Sequence, residues 1–311
     1  MGQARAIREG NACGALSDED FDALIAIATL DVGATTRLIG ATEKLGGIAA
    51  KALPKWFKAG IEKALTPILT SANTMVAYSH AGTDPTWANW IGARLSGQTF
   101  HKVAAAASGA IGGSLGPLTA VGDVIISTSL IMRSIQEIAR DYGEDLSNPE
   151  ALADCLSVLA MGGPRSDDDD LDSAFWNMRA GLKLGIREKV VLKAVETGLK
   201  TETAQRVLGS QAVSEIIQSA AFKKIIERFG IATQAAFAEK AVPIIGGMAG
   251  ALVNYQFLSY YQKMAHVLYR LKPIEERYEE GQVVSCYLRV VGALKKNPKH
   301  FDQTKPEAGA A

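Results

Sequence analysis

Apolar residues recur along the chain at intervals of three and four, and no run of alternating β-branched residues asks for a strand. That pattern predicts an all-α fold, a single multi-helix bundle-like domain with long Gly-rich packed helices. A first helix is expected after Ser17, with Asp20 three residues on completing a cap and Phe21, Leu24, Ile25 and Ala28 on one face. Pro54 marks another helix start, and Gly82, Asp84 and Pro85 mark a turn before a short segment holding Trp87 and Trp90. The clearest helix runs from Gly116-Pro117 to Tyr142-Gly143. Its seam is Val121, Ile125, Thr128, Met132, Ile135, Ala139 and Tyr142, with Arg133, Glu137 and Arg140 on another face and Gly143 as C-cap. Ser147-Asn148-Pro149-Glu150 opens a further helix, ended by Gly162-Gly163-Pro164, and amphipathic stretches follow from Phe175 to Phe229. A last long helix after Pro243 is expected to kink near Pro273. The domain reading is a flexible extension over 1–16, one helical domain over 17–300 and a disordered tail over 301–311.

Composition narrows the class. The 311 residues are 48% hydrophobic and 21% charged, which excludes wholesale disorder and rod-like repeats. With 33 basic and 33 acidic side chains, the chain lacks the basic footprint of a nucleic-acid binder. The zero balance hides segregation: from Asp141 to Asp172 ten acids face Arg165 alone, whereas from Arg37 to Lys63 six basic residues face two acids. Cys13, Cys155 and Cys286 are far apart and odd in number, and are read as buried or free thiols. The N-terminal residues have no apolar h-region, so a cytoplasmic protein is expected.

The chain has 30 Gly and 48 Ala, and two stretches enriched in them carry no charge. Neither Val103–Gly122 nor Ala241–Gln262 contains Asp, Glu, Lys, Arg or His, and each is long enough to span a bilayer, which takes about 20 residues. Pro117, Pro243, Asn254, Gln256 and Gln262 interrupt them, so neither makes a convincing transmembrane helix. Small residues four apart, such as Gly109 with Gly113 and Gly246 with Gly250, let backbones approach closely, either in a soluble bundle or in a hairpin that enters lipid reversibly. Lys51, Lys55, Trp56, Phe57 and Lys58 form the candidate membrane-facing surface, since basic residues opposite large apolar ones suit the headgroup zone. An ordinary solvated surface helix is the plainer reading of the same residues.

Candidate chemistry is sparse. Gly112-Gly113-Ser114-Leu115-Gly116 fits the G-x-S-x-G pattern of a nucleophile elbow, but the preceding residues are Ala-rich and helical rather than a strand, so Ser114 is a weak catalytic candidate. Asp167, Asp168 and Asp170 offer carboxylates for a hard cation without the alternating spacing of a calcium loop, and a solvated acidic loop is the plainer reading. The four histidines never pair at a ligand spacing, and no phosphate-binding glycine loop occurs. No cofactor is expected.

The run SLIMRSIQEIARDYGEDLSNPEALADCLSVLAMGG and the later block AVPIIGGMAGALVNYQFLSYYQKMAHVLYRLKPIEERYEE resemble the two defining blocks of the EcsC family. The resemblance implies an all-helical bacterial protein of a family named after an operon that encodes an ABC transporter, with no established reaction. Pro273 departs from the continuous helix the family pattern leads one to expect. The candidate binding residues in these blocks are Asp123, Arg133, Asn254, His266 and Arg277, with Asn254 or Arg133 as the expected partner of Asp123. Structural pairing that fixes helix register is the plainer role for all five. The expectation is therefore a non-enzymatic, peripherally membrane-associated protein holding lipid or another apolar ligand. The alternatives are a soluble scaffold or regulatory partner protein linked to a transport system, and a serine hydrolase using Ser114.

Overall fold

The computed structural model describes residues 13–43, 59, 117–146, 148–161, 175–176, 179–181, 183, 219–220, 222–227, 229–230 and 246–296. Five helices have defined limits among them: α1 (Asp18–Glu43), α2 (Pro117–Asp141), α3 (Pro149–Ala160), α4 (Gly246–Arg277) and α5 (Glu280–Lys296). No strand occurs among the described residues, and the fold is all-α.

Local chemistry sets the helix ends. Ser17 Oγ accepts from the Asp20 amide at 3.1 Å and donates to the Asp20 carboxylate at 2.8 Å, and Asp18, Glu19 and Asp20 place negative charge at the positive end of α1. At the end of α2, Gly143 takes φ 85°, and its amide and that of Glu144 donate to Arg140 O (2.8 Å) and Ala139 O (3.0 Å). Asn148 caps α3 by accepting from the Glu150 amide at 3.0 Å, with Pro149 at the first helical position.

The predicted seam of α2 is buried at Thr128, Met132, Ile135 and Ala139, and Arg133 on another face is exposed. Burial extends further round the helix, to Ser134, Gln136 and Ile138, because α3 and α4 both pack on it. α3 is buried at every position but Glu150, so the carbonyls at its C-terminal end need protein partners. Two α4 tyrosines supply them: Tyr260 donates to Met161 O at 2.8 Å and Tyr261 to Leu159 O at 3.5 Å. α4 is the central element, packed against the other four helices and fixed to α2 by a buried bond from Gln262 Nε2 to Ser134 Oγ at 2.7 Å.

Two expectations are corrected. Pro273 lies inside α4 on an exposed position, and the helix continues to Arg277. The chain breaks instead at Tyr278-Glu279, where the Glu279 carbonyl accepts from Gln282 and Val283 and starts α5 as a separate helix. Cys13 and Cys286 are joined by a disulfide, with Cα atoms 5.0 Å apart and both side chains buried, while Cys155 alone is free. An odd cysteine count forbids complete pairing but not one bridge, and helix packing brings together positions 273 residues apart in sequence. Because Cys13 and Leu16 are buried, the packed body begins ahead of Ser17.

Around that bridge, α1 is held to the α4–α5 junction. Tyr278 donates to Asp20 Oδ2 at 2.7 Å and accepts from the Ser17 amide at 3.0 Å, Arg277 pairs with Asp20 Oδ1, and Tyr287 bonds Asp31. The Tyr278 hydrogen bond, then that from Arg277, holds the Asp20 carboxyl below the usual aspartate range.

Candidate functional site

Three helical segments each contribute one face to a polar cavity of about 380 Å³. From α3 come Glu150, Ala151 and Asp154, a single turn behind the Asn148 cap; from α4 come Lys272, Glu275 and Glu276, at spacings of three and four; Ala180 and Lys183 come from the helical residues that follow Trp176, and Glu144 closes one side.

Asp154 is the centre of the site. Its side chain is 1% exposed, and Oδ1 accepts from Arg179 Nε at 2.9 Å while Lys183 Nζ stands 3.1 Å from the same oxygen. Arg179, also 1% exposed, turns its Nη1 to both oxygens of Glu275 at 3.0 and 2.9 Å and lies over the Trp176 ring, 5.3 Å from its centroid. Lys272 pairs with Glu144 and stands 3.4 Å from Asp154 Oδ2. Burial alone works to raise the Asp154 carboxyl, but the charges of Arg179, Lys183 and Lys272 outweigh it and hold the group below its ordinary range. The same balance runs in reverse for the cations. Burial opposes the charge on Arg179 and Lys272, yet Asp154 with Glu275 in one case, and Glu144 with Asp154 in the other, raise both above their ordinary values. Asp154, Arg179 and Lys272 therefore keep their charges at neutral pH.

Next to Asp154 on α3, Cys155 Sγ lies 3.1 Å from the Tyr269 hydroxyl, and both groups are buried. Burial pushes the thiol up to about 12 and the phenol well above its ordinary value, so neither ionises near neutrality and Cys155 is a poor nucleophile.

The candidates singled out in the sequence are spread out. Asp123 lies in α2 and Asn254 in α4. Arg133 is exposed, and ten residues of helix, about 15 Å, separate it from Asp123. His266 accepts or donates at 3.2 Å with the Tyr142 hydroxyl, which also accepts from Arg270 Nε at 3.0 Å. Arg277 pairs with Asp20 at the α1 junction. Asn254, His266 and Arg277 follow one another along α4 at twelve and eleven residues, a rise of about 16–18 Å each, so they do not converge on one site. Ser114, the Lys51, Lys55, Trp56, Phe57 and Lys58 surface, and Asp167, Asp168 and Asp170 lie outside the described residues. Among the described residues no group of three His, Cys, Asp or Glu is placed to hold a metal ion.

Sequence reading missed Asp154, Arg179, Lys183, Lys272 and Glu275 as a unit. One signal was available: Asp154 is the single charge between Ala151 and Met161 in an otherwise apolar helix, and a lone buried carboxylate requires a cation.

A central tyrosine-rich helix, an almost fully buried neighbour and a charged cluster at their contact define an all-helical domain with no strand in its described part. Residues 92–274 match the EcsC protein family, and the chain belongs to that family. Asp154, Arg179, Lys183 and Lys272 all fall within the matched span, with Glu275 one residue beyond it. No curated protein and no solved structure matches the chain.

Proposed function

We propose that this EcsC-family protein is a non-enzymatic binding protein that associates peripherally with a membrane. The observation that carries the binding half is the polar cavity beside Asp154. The Asp154 carboxylate is held charged by Arg179, Lys183 and Lys272, an arrangement suited to recognising a polar group rather than to moving protons, and the adjacent Cys155 thiol stays protonated.

The membrane half is supported by the basic, aromatic stretch Lys51, Lys55, Trp56, Phe57 and Lys58, where each cation near an anionic leaflet contributes about 1 kcal/mol. No helix among the described residues is long and apolar enough to cross a membrane. Phe257, Leu258, Tyr260, Tyr261 and Gln262, at the end of the second charge-free segment, are buried core. Surface association is therefore preferred to insertion of that part. The Cys13–Cys286 bridge favours an oxidising compartment over the cytoplasmic address read from the N-terminal residues.

Flotation tests the proposal. The purified protein is expected to rise with anionic vesicles at low salt and to stay behind when Lys51, Lys55 and Lys58 are changed to Glu. Recovery of the unmodified protein entirely in the unbound fraction would remove the membrane half.

A further inference from the structure

Resting on the reading of the cavity as a binding site, the geometry points to a ligand class: we infer that the cavity beside Asp154 takes a primary ammonium group, carried either by a small free amine or by the headgroup of an aminophospholipid.

The charge balance gives the sign. Among the described residues five carboxylates line the cavity against the ammonium groups of Lys183 and Lys272, and with Arg179 behind them these groups sum to −2, so an incoming cation is favoured. Hydrogen bonding gives the anchoring atom. Asp154 Oδ1 is engaged by Arg179 and Lys183, whereas among the described residues the buried Oδ2 accepts no well-formed hydrogen bond, Lys272 Nζ standing 3.4 Å away. A buried carboxylate oxygen without a donor is costly, and an N–H-bearing cation completes it.

Lys272 also shows what the site selects. Its own primary ammonium lies between Glu144 and Asp154, on a flexible stem that is 22% exposed. Glu276, four residues on along α4 and exposed, offers Lys272 an alternative partner when a ligand ammonium takes its place. Two other cation classes fit poorly. Among the described residues no aromatic ring lines the cavity, as a quaternary ammonium requires, and no three-ligand group is set for a metal ion.

The test compares ethanolamine with choline at equal ionic strength, using the full chain, by calorimetry and thermal shift. Ethanolamine is expected to bind and raise the melting temperature while choline does not, since a ligand of the folded state stabilises it by mass action. Glu144→Gln is expected to weaken ethanolamine binding about tenfold, the loss of one charge-assisted hydrogen bond. Lys272→Met, which removes the internal competitor, is expected to strengthen it. Equal responses to ethanolamine and choline, or ethanolamine binding left unchanged by Glu144→Gln, would overturn the inference.

Vesicles separate the two sources. At fixed anionic lipid content, better flotation with phosphatidylethanolamine than with phosphatidylcholine, lost in Glu144→Gln, assigns the headgroup. Ethanolamine binding without that preference assigns a free amine. Flotation that depends on anionic lipid alone, with no ethanolamine response, leaves the membrane reading standing and removes the ammonium site. Ethanolamine binding with no flotation at all does the opposite.

Discussion

α4 carries two arginine–carboxylate contacts of the same chemistry in opposite surroundings. Near its C-terminal end Arg277 meets Asp20 with its side chain 54% exposed, while Glu275 and Lys272, two and five residues earlier, belong to the network around Arg179 and Asp154, both 1% exposed. At the first contact water reaches the guanidinium, and Asp20, itself buried, keeps Tyr278 and Ser17 as donors. At the second, water does not reach the guanidinium, and its loss takes from Glu275 its Arg179 partner and leaves Asp154, inside the protein, to Lys183 and Lys272. The difference lies in solvent access, not in the pair.

The largest expected effect comes from breaking the buried side of this comparison. Arg179→Met removes the cation that joins Asp154 to Glu275 and is expected to lower unfolding free energy by about 3–5 kcal/mol, read by chemical denaturation. A loss under 1 kcal/mol would mean that water already reaches these carboxylates.

The exposed side has a covalent reinforcement instead. Cys13→Ser, or reduction of the bridge, is expected to cost about 2–4 kcal/mol, seen as a lowered melting temperature under reducing conditions. The Arg179→Met and Cys13→Ser losses should add within a few tenths of a kcal/mol, since the two sites share no partner in the structure.

Acid sharpens the contrast. Asp154 is held below its ordinary value in the folded chain, so its contribution is fully present above the unfolded value of about 3.9 and is lost as pH falls through the folded one. Lys272 is raised, so its contribution is complete below the unfolded value of about 10.4 and fades as pH climbs through the folded one. A pH series of denaturation midpoints should therefore be flat between these limits, and Asp154→Asn should flatten its acid edge. The smallest effect belongs to Arg277→Ala, expected to cost about 0.2–1 kcal/mol and to shrink further in high salt. Equal salt sensitivity of Arg277→Ala and Arg179→Met would erase the distinction.

What the sequence revealed follows the range of the interactions. Ser17 with Asp20, Gly143 after α2 and Asn148-Pro149 before α3 act within one turn, and all three were readable as caps. The buried face of α2 was readable from periodicity, because 3.6 residues per turn places Thr128, Met132, Ile135 and Ala139 on one side. The charged cluster was not, since Asp154, Arg179 and Glu275 come from three segments and no spacing rule links residues 25 and 96 positions apart. The Cys13–Cys286 bridge was hidden for the same reason, and the break at Tyr278 was hidden because Pro273 drew attention to the wrong residue. Had Asp154 been read as a buried charge in search of a cation, the site would have been partly legible.

The bridge has one further consequence. It closes residues 13–286 into a covalent ring, and the whole family-matching span from 92 to 274 lies inside it. A single protease cut anywhere within that span opens the ring without releasing a fragment. The clipped chain should migrate as one species on a non-reducing gel and separate into two only after the bridge is reduced, so damage inside the domain stays physically tethered to the rest of the molecule.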